Sequence, residues 1–170
     1  MTTHRFGLIS DTHGHLHPGV FDLFEGVEAI FHAGDVVGED ILDELEVLAP
    51  VHAVAGNCDP PSPRLPGLRE IQAPFGKVLV THSHLVSIRY PPGPGLAAHF
   101  APQRARLIVY GHTHQAYKAC HDGTWVVNPG PAGRPRFREV PSVVVLTWES
   151  DSDKLTFRSH KLDWTLPRRS

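Results

Sequence analysis

The stretch Leu107–His114, Leu-Ile-Val-Tyr-Gly-His-Thr-His, reads as a strand that breaks at Gly111 and delivers two histidines. Four apolar, mostly β-favouring residues running into a glycine have the length and composition of a buried strand ending in a loop. His112 and His114 then stand at the carboxyl end of a strand, the edge where open α/β sheets build their sites. An extended course past the glycine would point residues two apart the same way, so both imidazoles would face one spot. A single His-x-His pair is weak support for a metal site. Its weight comes from comparable clusters at other strand ends.

Working outward, Lys77 to Thr81 forms a strand after a turn at Phe75-Gly76 and ends in Thr81-His82-Ser83-His84. Phe6 to Ser10 is a short apolar strand ending in Asp11-Thr12-His13-Gly14, and Glu28 to His32 runs into Ala33-Gly34-Asp35. Val51 to Ala55 runs into Gly56-Asn57-Cys58-Asp59. Each cluster has a bland reading when taken alone; Asp-Thr before a loop, for instance, suits a turn or a helix cap. That reading would have to hold five times, at corresponding strand ends.

Between these strands, Val20, Leu23 and Phe24 give a short helical face, and Ile41, Leu42, Leu45 and Leu48 mark an amphipathic helix stopped by Pro50. Alternating strands and helices predict an α/β layered domain. Asp59 to Gly67 is proline-dense and predicts a stiff surface loop. Arg69 to Ala73 is a further strand, and the Pro/Gly stretch Tyr90 to Gly95 leads into a short apolar helix near Leu96 to Phe100. Tyr117 to His121 and Thr124 to Val127 flank Asp122-Gly123, a strong hairpin signal. Asn128-Pro129-Gly130-Pro131 ends the hairpin and precedes a basic run, Arg134, Arg136 and Arg138. Ser142 to Trp148 and Leu155 to His160 close the chain as a strand pair, and the tail from Leu162, with Arg168 and Arg169, is expected to be loosely held.

Composition bounds the function. At 170 residues, 41% hydrophobic and 20% charged, the chain is expected to form one soluble globular domain over 1–170. A formal charge of -2 offers no broad basic field, so stable nucleic-acid binding is not expected. No apolar run approaches a membrane span. With only Cys58 and Cys120, a reducing cytoplasm is the default location. The unusual count is 13 histidines. Together the clusters supply Asp11, His13, Asp35, Asn57, His82, His112 and His114. Two metals sharing one carboxylate need about seven or eight protein ligands, and borderline divalent ions favour imidazole with hard oxygen. The set fits that demand, while two cysteines exclude a cysteine-rich structural zinc site.

In their order, Asp-x-His, Gly-Asp, Gly-Asn-x-Asp, Thr-His-x-His and Gly-His-Thr-His resemble the calcineurin-like metallophosphoesterases. Gly-Asn-Cys-Asp, the short chain and Asn-Pro-Gly resemble their small bacterial and archaeal phosphodiesterase branch. The resemblance runs from about Phe6 to about Phe137. It implies a four-layer αββα sandwich, two mixed β-sheets flanked by helices. It implies two divalent metal ions, manganese first with iron, nickel or zinc compatible. Asp11, His13, Asp35 and His114 would hold one ion and Asp35, Asn57, His82 and His112 the other, with Asp35 bridging. The activity implied is hydrolysis of a small phosphodiester by a hydroxide held between the metals.

Three positions depart from the commoner family pattern. Ser83 replaces a glycine between His82 and His84, so this loop should sit less freely. Pro131 replaces a serine after Asn-Pro-Gly and removes a hydroxyl that could meet phosphate. Cys58 stands where monoesterase relatives carry a proton-donating histidine, which implies a preference for diesters with good leaving groups. Asp59 and Asn128 are expected to support the site from behind, and His84 and His15 to lie at its rim. His4, His52, His99, His121 and His160 are expected to be exposed or hydrogen-bonded outside it. Two other readings share the resemblance: a non-catalytic scaffold like the retromer subunit, and a phosphatase or nuclease of the same superfamily. The scaffold predicts loss of cage residues and the nuclease a longer, more basic chain; self-association into a homo-oligomer is left open.

Overall fold

Several central strands are continuous apolar runs, and the fold gives each alternate set of their side chains a different partner. The computed structural model describes residues 2–86 and 92–165. One sheet contains β1 (Thr3–Ile9), β2 (Ala29–His32), β3 (Val51–Ala53), β9 (Ser142–Glu149) and β10 (Lys154–Lys161), in the order β10-β9-β1-β2-β3. The other contains β4 (Leu68–Ala73), β5 (Gly76–Thr81), β6 (Leu107–Tyr110), β7 (Tyr117–His121) and β8 (Thr124–Asn128), in the order β4-β5-β6-β8-β7. Both sheets are mixed: β1-β2-β3 and β5-β6-β8 run parallel, and the outer strands pair antiparallel.

Phe6, Leu8, Phe31, Val144 and Leu146 of the first sheet pack on Val78, Val80, Leu107, Val109 and Val127 of the second. The opposite face of the first sheet, with Ile9, Ile30, Val143 and Val145, is covered by Val20 of α1 (Gly19–Leu23), Phe24 just beyond it, and Ile41, Leu42 and Leu45 of α2 (Asp40–Glu46). Leu79, Ile108, Tyr110 and Val126 on the far face of the second sheet meet Leu96 of α3 (Pro92–His99) and Phe100. Four layers result, helix, sheet, sheet, helix, as the family resemblance implied. Full burial of a side chain such as Phe31 or Leu79 contributes roughly 2 kcal/mol, so the β-sandwich interior is the main source of stability.

Strand positions follow the sequence expectation to within two residues at most ends; β1 begins at Thr3, ahead of Phe6, and β3 stops at Ala53, ahead of Ala55. One expectation is corrected. The helix expected near Leu96 to Phe100 is α3, and it already includes the Pro/Gly residues from Pro92 to Gly95. Pro92 and Pro94 lie in its first turn, where backbone N–H groups have no helical partner and proline costs little. Tyr90, Pro91 and the tail residues Arg168 and Arg169 lie outside the described residues.

The functional consequence is directional. The parallel strands β1, β2, β3, β5, β6 and β8 all end at one edge, and the clusters seen in the sequence follow those ends.

His32, at the end of β2, is fully buried and braces this edge. Gly34 N–H donates to its Nδ1 (3.3 Å), leaving Nε2–H to donate to Thr12 Oγ1 (3.1 Å), which donates in turn to the Val36 carbonyl (3.1 Å). Burial pulls its pKa down to about 4, against about 6.5 in the unfolded chain. Above pH 6.5 the ring is neutral in both states. Below it the unfolded chain takes a proton that the folded one refuses, so stability falls, by about 3 kcal/mol at pH 4. Unfolding of wild type and His32→Gln in denaturant between pH 7 and 4 should show this extra acid sensitivity in the wild type alone. Parallel pH profiles would remove His32 from that role.

Candidate metal centre

Asp11, Asp35 and His82 are buried almost completely at the sheet edge. Gly34 and Gly111 allow the loops to converge. A Cβ on Gly34, at φ +92°, would lie 2.7 Å from His82 Nδ1, and one on Gly111 would lie 2.7 Å from the Ala33 carbonyl and 2.9 Å from Asp11 Oδ2. The expected extended course of the His-x-His pairs is corrected. Asp11, His13, Asp35, His112 and His114 all adopt positive φ, between 46° and 72°. Left-handed residues cost roughly 1–2 kcal/mol each outside glycine. Here they bend each loop sharply, so that ligand atoms from separate strands meet in one pocket. Ser83 is likewise at φ +71°; the loop keeps the conformation that a glycine would favour, with strain in place of freedom.

The seven expected residues come together as two overlapping sets. Ligand atoms of Asp11, His13, Asp35 and His114 lie within 4.8 Å of one another. His114 Nε2 is 3.2 Å from Asp11 Oδ1 and 3.2 Å from His13 Nε2. In the second set, Asn57 Oδ1 lies 3.1 Å from His82 Nε2 and 2.9 Å from His112 Nδ1. Asp35 Oδ2 stands between the sets, 3.7 Å from His13 Nε2 and 3.4 Å from His82 Nε2.

The chemistry of these contacts favours a cation. His82 Nδ1–H donates to the Ala33 carbonyl at 2.8 Å, so in the neutral ring Nε2 turns a lone pair toward Asn57 Oδ1 and Asp35 Oδ2, both acceptors. His114 repeats the pattern: Nδ1–H donates to Glu139 Oε1 at 2.6 Å, and Nε2 faces Asp11 Oδ1. Among the described residues, the two buried carboxylates form ion pairs only with imidazoles. Converging lone pairs around buried carboxylates are costly unless a proton or a metal fills the gap. Hydrogen bonding to Asp11 and then to Glu139 lifts the His114 pKa to about 9, against the effect of burial. Burial opposes ionisation of Asp35, but the His82 and Cys58 N–H bonds overcome it and hold the carboxyl below its usual range. Burial lowers His13 and His112. A divalent ion could replace the protons at both lone-pair clusters.

Asp59 lies between the Asp35 and Asn57 loops. Its carboxylate accepts N–H bonds from Val36 (3.2 Å), Val37 (2.7 Å) and Gly56 (2.7 Å), tying the Asp35 loop to the Asn57 loop. Asn128 is buried; its Nδ2 donates to the Gly111 carbonyl and Thr113 Oγ1, and its Oδ1 accepts from Gly130 N–H, bracing the loop of His112 and His114. Cys58 is exposed beside the cage, and its backbone N–H donates to Asp35 Oδ1 at 2.8 Å. Partial burial and then the Asp35 carboxylate push its thiol pKa up. His84 packs edge-on to His82, with ring centres 5.3 Å apart, at the rim as expected. His15 instead turns to Trp164 and lines an adjoining cavity of about 300 Å³. Pro131 is buried, with its carbonyl accepting from Ser142 N–H. The five histidines expected outside the cage are outside it: His4 pairs with Glu28, His52 stacks on Phe31, His99 meets Phe100 edge to face, His121 bonds Tyr117, and His160 lies along β10. Glu139, His32 and Ser10, whose Oγ donates to Asp11 Oδ2 at 2.6 Å, were not anticipated.

The profile of the calcineurin-like phosphoesterase superfamily domain matches residues 5–151. The chain belongs to this superfamily. A probable metallophosphoesterase of Methanothermobacter thermautotrophicus is 37% identical over 160 residues, covering 88% of this chain and 87% of its own. A phosphodiesterase of Methanocaldococcus jannaschii is 30% identical over 145 residues, covering 74% of this chain and 82% of its own. In structure, Vps29 of Entamoeba histolytica complexed with zinc superposes with a TM-score of 0.72 at 23% identity, covering 94% of this chain and 99% of that one. The chain therefore shares its fold with proteins that carry different names. Among its described residues, no helix is long and apolar enough to cross a membrane.

Proposed function

We propose that this phosphoesterase hydrolyses small phosphodiesters with two divalent metal ions, manganese being the first expectation. The observation that carries the reading is Asp35 Oδ2 standing between His13 Nε2 and His82 Nε2. Asp11, His13, Asp35 and His114 would hold one ion, and Asp35, Asn57, His82 and His112 the other. Such a pair, when bound, supplies a strong oxygen nucleophile at neutral pH and neutralises charge building on the phosphate. The protein's part is orientation. Ala33, Glu139 and Asp59 fix the rings and loops so that the donor atoms need little rearrangement. Both cysteines are exposed and unpaired, which suits a reducing cytoplasm.

Cys58 separates diesters from monoesters. Its raised thiol pKa keeps it neutral at pH 7, and a thiol is a poor proton donor to a departing alkoxide. Metal-loaded protein should therefore cleave bis-aryl phosphate well and aryl phosphate poorly, and Cys58→His should move the ratio toward the monoester. A wild type that prefers the monoester would contradict the assignment. The scaffold reading keeps some support from the fold likeness. The Entamoeba Vps29 structure is a zinc complex, so metal binding alone does not separate the two, and turnover of the diester decides between them.

A further inference from the structure

Between Gly133, whose N–H bonds the Asp11 carbonyl, and Pro141, whose carbonyl accepts from Leu162, the chain leaves the framework. Residues 134–138 and 140 are exposed, and only Glu139 is drawn inward. Glu139 engages both carboxylate oxygens and its backbone N–H. Oε1 accepts from His114 Nδ1–H at 2.6 Å, Oε2 accepts from Arg136 N–H at 2.9 Å, and its own N–H donates to the Arg136 carbonyl at 3.2 Å. The result is a closed four-residue turn fastened at one point to a histidine of the cage.

The same turn carries Arg136. Its backbone N–H bonds the same Glu139 carboxylate that holds His114, so an exposed arginine is anchored one residue away from the cage. Arg136 has no carboxylate partner within ion-pair distance among the described residues, unlike Arg64 and Arg106. A guanidinium held without a counter-ion beside a phosphoesterase cage has the charge and the planar donor set to take phosphate oxygens.

We propose that the Arg136–Glu139 turn is a phosphate-recognition arm latched to the metal centre, with Arg136 meeting the substrate anion and Glu139 positioning His114. This rests on the diesterase reading for its substrate, but not for its latch. Glu139 fixes the His114 tautomer that turns Nε2 inward, so metal affinity and placement of the arm depend on one hydrogen bond.

Metal-free protein titrated calorimetrically with Mn²⁺, followed by inorganic phosphate on the loaded form, separates the two roles. Glu139→Ala should weaken one of the two metal sites about 10- to 100-fold, leave the other unchanged, and weaken phosphate binding. Glu139→Gln keeps an acceptor for His114 but loses the one for Arg136 N–H; its metal affinities should stay near wild type while phosphate binding weakens. Arg136→Gln should leave both metal sites intact and weaken phosphate binding about tenfold. Unchanged metal affinity in Glu139→Ala would overturn the latch, and unchanged phosphate affinity in Arg136→Gln would overturn the arm. The metal titrations hold whether or not the wild type cleaves diesters, so the two readings fail separately.

Discussion

Asp35→Asn is expected to abolish phosphodiester turnover, by about a thousandfold or more, and to lower the stability of the metal-free fold at neutral pH. One carboxylate serves both ligand sets, through Oδ2 at 3.7 Å from His13 Nε2 and 3.4 Å from His82 Nε2. The amide keeps the shape and can still accept the Cys58 N–H bond, now made to Oδ1 at 2.8 Å. It loses the charge, and with it the attraction that would hold two cations side by side. In the metal-free fold the His82 and Cys58 N–H bonds hold the Asp35 carboxyl ionised, below its usual range, so the neutral amide forfeits that stabilisation at neutral pH. Metal analysis with denaturant unfolding checks both halves. Two tightly bound ions and near-normal activity would remove Asp35 from its bridging place.

Asp59→Ala should act mainly through stability. Three backbone N–H groups, those of Val36, Val37 and Gly56, lose a charged acceptor together. Bonds to a charged group are worth about 1.5–3 kcal/mol each when buried; partial exposure here reduces the total to about 3 kcal/mol. Asp35 and Asn57 sit on the loops released, so both metal sites should weaken as well. The midpoint of denaturant unfolding of metal-free protein reads the first effect and calorimetry the second. A stability equal to wild type would mean that Asp59 does not tie the loops together.

Much of this centre was legible in the chain because strand ends carry local signals. An apolar run stopping at glycine, or at Ser10 or Thr81, places Asp11, Asp35, Asn57, His82 and His112 on one edge once the strands are parallel, and parallel strands follow from the intervening helices. The backbone conformation was not legible. Extended geometry would have sufficed to aim His112 and His114 together, yet both are left-handed, a choice made by the convergence of several loops and not by either dipeptide. Glu139 left no local trace either. It lies 25 residues from His114 on a turn without a motif, and only packing brings them together. His32 was hidden differently, as the polar end of an apolar run, where its burial depends on Thr12 from another loop. Pro92 and Pro94 hid the start of α3 because proline signals a break everywhere except in a helix's first turn.

The account's central claim is a two-metal centre that cleaves diesters, and metal stoichiometry against turnover tests it most directly. Chelated protein would be reloaded in steps with Mn²⁺ while hydrolysis of bis-aryl phosphate is followed. Activity should be absent without metal, remain low at one ion per chain, and rise to its maximum as the second binds. Full activity at one ion or none, or no activity with two ions bound, would contradict it.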